Sequence, residues 1–171
     1  MKIIEALKEL PVLDKRIRNQ AQQIAEYAGY ITSEQPAFET VEAQRKKVSE
    51  LLQSNEDLAK RYASIKRALA ITNATIEVDV AGEKKTISEW ITYKANTHNQ
   101  LHQTYSALNL NAANSRLSSS QIDLTEGVKL ERMYSEEYRN KKLEEIRNLN
   151  DTIDATLEIV NATTDMVSEV L

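Results

Sequence analysis

VEAQRKKVSELLQSNEDLAKRYASIKRALAIT, running from Val41 to Thr72, is the stretch on which the fold turns. Within it Val41, Gln44, Val48, Leu51, Asn55, Leu58, Tyr62, Ile65, Leu69 and Thr72 are separated by alternating steps of three and four. That spacing keeps one face of a helix in register with a partner, and at 1.5 Å per residue it predicts a helix roughly 50 Å long. A helix of that length does not bury its stripe alone and needs other helices to pack against.

The flanking sequence supplies them. Ile3, Leu7, Leu10, Asp14, Ile17, Ala21, Ile24, Ala28 and Ile31 form an earlier seam, interrupted by Pro11 and ending near Gly29. Pro11 predicts either a kink or a short first helix followed by a longer one. A third seam runs through Ile87, Ile91, Lys94, His98, Leu101, Tyr105 and Leu108, with Trp90 beside it as the largest apolar anchor. Thr86 and Glu89 form a capping box at its start. A fourth seam comprises Arg139, Leu143, Ile146, Asn150, Ile153, Leu157, Val160, Thr164, Val167 and Leu171, with Ser135 as N-cap and Glu136 and Glu137 in the first turn.

Between the second and third seams, Ile76, Val78 and Val80 alternate with polar residues, which predicts a strand. Ala81-Gly82-Glu83 is a tight turn, and Lys84 to Thr86 returns as a second strand, giving a hairpin over 75–86. Residues 128–134 offer a possible third strand for this small sheet, and the Ser- and Asn-rich residues 111–127 read as a flexible connection. The expected fold is mainly α. Four long heptad-patterned helices form an antiparallel bundle or coiled coil with a hairpin or three-stranded insertion, in one helical-bundle domain over 1–171.

Composition agrees, with 3 Gly, 2 Pro, 28% charged residues and 41% hydrophobic residues among 171. The net charge of -4 argues against broad attraction to nucleic acid or anionic lipid. The absence of cysteine removes disulfides and thiolate metal sites. Neither a signal peptide nor a run of about 18 apolar residues is recognisable, so the expectation is cytoplasmic synthesis with no membrane partner. Three glycosylation acceptor patterns, beginning at Asn73, Asn150 and Asn161, read as chance without a secretory route.

Candidate sites are few. Ile71 to Thr75 and Ile159 to Thr163 each read Ile-x-Asn-Ala-Thr, so Asn73 and Asn161 follow equivalent seam positions near the ends of long helices. Their amides are placed to bond a neighbouring helix or cap free carbonyls. Asn55 and Asn150 lie on the seams themselves and read as devices that fix helix alignment. His98 and His102, four apart, share a helical face and would hold a transition metal if an acidic ligand stood on an adjacent helix. Glu144 and its acidic neighbours read as a solvated face. No serine sits in a nucleophile elbow and no glycine-rich phosphate loop occurs, so no catalytic residue or cofactor is expected. Helix direction has two solutions. Joining Asn73 to Asn161 puts the ends of their helices together, whereas pairing Gly127 to Tyr134 with the hairpin turns the last helix round.

With IKRALAITNAT at Ile65–Thr75, KTISEWI at Lys85–Ile91 and IRNLNDTIDATLEIVNATTDMV at Ile146–Val167, the chain resembles the septicolysin-like family of small helical proteins. It is also similar to structural proteins encoded by tailed bacteriophages. The resemblance to phage proteins implies a multi-copy virion component, a capsid, connector or tail accessory, that self-associates or joins other virion proteins. The family label implies a membrane-active toxin, which the narrow seams do not favour. A non-enzymatic structural role is therefore expected. Faces such as Glu126 to Tyr138, including Tyr134, offer edges to a neighbour, with a metal protein using His98 and His102 as the alternative.

Overall fold

A computed structural model describes residues 1–119 and 129–167. The chain is mainly helical, with a two-stranded antiparallel sheet among the described residues. In chain order the elements are α1 (Ile3–Tyr27), α2 (Val41–Thr75), β1 (Glu77–Val80), β2 (Glu83–Thr86), α3 (Ile87–Thr92), a π-helical turn (Tyr93–His98), α4 (Asn99–Ser106), α5 (Asn111–Ser119) and α6 (Glu136–Thr163). The chain groups into two compact units. The first is 1–76 with 159–171, and the second is 77–158.

In the first unit α1 and α2 run antiparallel: Glu9 pairs with Arg61, Gln20 donates to the Ser54 hydroxyl at 3.0 Å, and the Gln44 amide donates to the Tyr27 carbonyl at 2.8 Å. Gln44 is buried and also bonds the Gly29 carbonyl and the Ala37 amide, so one side chain ties down the connection between the helices. Every seam residue expected on α2 is buried or half-buried. On α1 the inward face is Ile3, Ala6, Leu10, Leu13, Ile17, Gln20, Ile24 and Tyr27. The expected seam is corrected at Leu7, which is 44% exposed, at Ala21 and Ala28, which face solvent, and at Ile31, which lies beyond the end of α1 and is 60% exposed. The chain choice between neighbours one residue apart follows packing, which prefers Leu13 to Asp14. Pro11 lies on the exposed side, and the helix runs through it as one element.

The first unit is closed by its two distant segments. Lys2 and Asp165 form an antiparallel bridge, the Ile3 amide donates to the Thr164 carbonyl at 3.1 Å, and the Met166 amide donates to the Met1 carbonyl at 2.9 Å. The expected final helix through Leu171 therefore stops at Thr163, because Thr164 to Met166 turn their backbone groups to the N-terminal segment; Leu171 lies outside the described residues.

In the second unit β1 and β2 pair with Val80 opposite Glu83, leaving a two-residue turn. Ala81 (φ 54) and Gly82 (φ 86) both take positive φ, the turn whose twist matches a hairpin, and the Asp79 carboxylate accepts the Gly82 amide at 3.0 Å. Glu83 thus belongs to the second strand rather than to the turn. The expected third strand is absent: residues 129–134 are not extended into any sheet, and Val128 lies outside the described residues. The expected flexible connection is helical over Asn111–Ser119, where Ala112, Ala113, Arg116 and Leu117 favour helix and the Asn109 side chain accepts the Asn111 amide. Residues 120–127 lie outside the described residues.

Candidate functional site

Trp90 is the centre of the second unit. The Thr86 hydroxyl accepts the Glu89 amide at 3.2 Å while the Glu89 carboxylate accepts the Thr86 amide at 2.7 Å, which starts α3 as the capping box requires. Those amide and hydroxyl donors hold the Glu89 carboxyl below its ordinary value. One turn later Trp90 is 0% exposed, among buried Val78, Val80 and Ile87, and its indole N–H donates to the Val78 carbonyl at 3.1 Å. The Lys85 ammonium lies 4.6 Å from the indole centroid. Ile91, expected on the seam, is exposed, and Trp90 takes its place.

From Trp90 the buried face continues through Lys94 and His98, two steps of four, across the π-helical turn Tyr93–His98. The turn accommodates one residue more than an α-helical turn and resets the phase for Leu101, Tyr105 and Leu108. Sequence reading missed it, because the expected seam kept a regular alternation of four and three through this stretch. Lys94 pairs with Asp154, and Tyr105 meets Tyr138 edge to face at 6.3 Å, so α4 and α6 run antiparallel. Hydrogen bonding with Tyr138 raises the Tyr105 phenol above its ordinary value, and the Lys142 ammonium lowers the Glu145 carboxyl beside it.

Between these helices lies an open groove of about 650 Å3, lined by His98, His102, Leu143, Glu144, Arg147, Asn148 and Asn150. His98 is half-buried and His102 exposed; their rings stack with centroids 6.3 Å apart and planes at 27°. Asn150 is half-buried and its amide reaches Asp154 at 3.4 Å. Among the described residues no three His, Cys, Asp or Glu side chains are grouped closely enough to form a ready metal cluster. Glu144, Arg147 and Asn148 on α6 are the groove residues that sequence reading assigned to a solvated face or passed over.

The repeated Asn-Ala-Thr has a different outcome. The ends of α2 and α6 do come together in the first unit, but through Thr72, which is fully buried. Its hydroxyl donates to the Ala68 carbonyl at 2.8 Å and accepts the Val167 amide at 2.9 Å. Asn73 is half-buried and its side-chain oxygen has no partner; Asn161 is also half-buried in the last turn of α6. The Asn55 side-chain oxygen is likewise buried without a partner on the α1–α2 seam. Tyr134 is half-buried with the Arg132 guanidinium 5.5 Å from its ring.

No family model matches the chain, and no curated protein matches it. A crystal structure of a functionally unknown conserved protein from Corynebacterium diphtheriae is similar, with a TM-score of 0.58 and 18% identity over 98% of this chain and 99% of that one. At that identity the likeness is one of fold. Among the described residues no helix is long and apolar enough to cross a membrane.

Proposed function

We propose that the chain is a non-enzymatic assembly protein whose α1–α2 pair is an antiparallel coiled coil completed by further copies of itself. The observation that carries this reading is the asymmetry of the helix pair. One flank holds the Glu9–Arg61 ion pair. The opposite flank, one heptad position beyond the seam, presents exposed Leu7, Ala21, Ala28, Leu52 and Ala59, interspersed with Asp14, Arg45 and Lys66. Leu52 is 47% exposed. A flank whose small and aliphatic residues alternate with charged ones beside a heptad seam accepts a third or fourth helix, the charges pairing at its margin. A multi-copy virion component is the concrete role that the sequence resemblance implies for such an assembly.

Light scattering of the untagged protein over a concentration series tests it. A dimer or larger species is expected, reduced at least tenfold in association constant by Leu52→Glu while the helical circular dichroism is kept. A wild-type monomer at every concentration overturns self-assembly.

A further inference from the structure

The groove between α4 and α6 plays no part in that assembly, and its walls carry two matched pairs of donors. His98 and His102 stand one turn apart on one wall, Glu144 and Asn148 one turn apart on the other. The antiparallel register set by Lys94 with Asp154 and Tyr105 with Tyr138 brings His98 about level with Asn148 and His102 about level with Glu144. Two imidazoles on one wall, with a carboxylate and a carboxamide on the other, supply the donor types of a divalent first-row transition ion, with coordination positions left for water.

We infer that this groove binds such an ion, zinc being the reference case, with His98 and His102 as nitrogen ligands and Glu144 closing the site from α6. The local backbone favours it. The π-helical turn ends on His98, and His98 and His102, four apart along the helix that follows, share the face that lines the groove. The Ser106 hydroxyl lies 3.5 Å from His102 Nδ1, which leaves Nε2 as the ligating nitrogen. The histidine pair captures the ion first, because the three ligands are not grouped in advance among the described residues. Glu144 is exposed, and rotation about its side-chain bonds brings the carboxylate across. Asn148 supplies an outer oxygen. Arg147 in the same groove opposes the ion, an opposition reduced by Asp151 at 4.0 Å from its guanidinium. The ion would link α4 to α6 and stabilise the second unit by mass action.

Calorimetric titration of zinc chloride into the full chain, in a buffer that does not chelate, tests the assignment. One ion per chain is expected. His98→Ala and His102→Ala should each weaken binding about tenfold or more, Glu144→Gln should weaken it severalfold, and zinc should raise the Tm of the wild type but not of the double-histidine variant. All three residues are at least partly exposed, and circular dichroism of each variant checks its fold. Absence of binding in the wild type, or unchanged binding in the double variant, overturns the site. Binding that needs the histidines but ignores Glu144→Gln overturns the link between the helices.

Discussion

Thr72 and Glu89 each act through a single oxygen, and each can be tested alone. Thr72→Val keeps the volume of a fully buried side chain but leaves the Val167 amide without its acceptor. A loss of about 1–3 kcal/mol is expected in urea denaturation. Asn73→Ala next to it should cost less, because its oxygen already has no partner. The adjacent Asn caught attention in sequence because it recurs, whereas nothing in a lone Thr announces that its hydroxyl will meet an amide 95 positions away. Glu89 carries a pH signature. Its folded value lies below the ordinary carboxylate value, so its contribution is present above about pH 4.3 and is lost as pH falls through the lowered folded value. The stability difference between wild type and Glu89→Gln should accordingly narrow on acidification, as read by thermal melts from pH 7 to pH 3.

At the scale of elements, the second seam was legible because all of its expected positions turn inward, and the capping box at Thr86 placed the start of α3 without error. The first seam was half legible. Leu7, Ala21 and Ala28 are as apolar as the residues that face α2, and only the partner's surface decides between adjacent heptad positions. The π-helical turn was illegible for a similar reason, since a seam of mixed Trp, Lys and His has no sharp phase to disturb. Pro11 was read correctly as a lost donor but not as a tolerated one. It sits on the exposed side of α1, where water can serve the Leu7 carbonyl. Pro11→Ala restores the missing amide and should stabilise the protein by about 1–3 kcal/mol, measured as a rise in the urea midpoint.

For the molecule as a whole, the chain contains a single Trp, and Trp90 lies wholly in the second unit. Its fluorescence therefore reports on 77–158, while far-ultraviolet circular dichroism, dominated by the long helices, reports on both units. If the units unfold independently, the two urea transitions should separate; Thr72→Val should move the circular dichroism transition and leave the fluorescence midpoint within error. Coincident transitions, shifted together by that substitution, would mean one cooperative structure. The histidine groove belongs to the same unit as Trp90, so zinc should move the fluorescence transition.

The Lys2 to Asp165 bridge also orders events in time. The Lys2 ammonium reaches the Thr163 carbonyl across 161 positions, and gathering the ends of so long a loop costs roughly 4–5 kcal/mol of chain entropy before any contact rewards it. During synthesis, residues 77–158 emerge and can fold before the segment that closes the first unit exists. The α1–α2 pair then waits with its end uncovered, so closure of the first unit by residues 164–167 is expected to follow the formation of the helices.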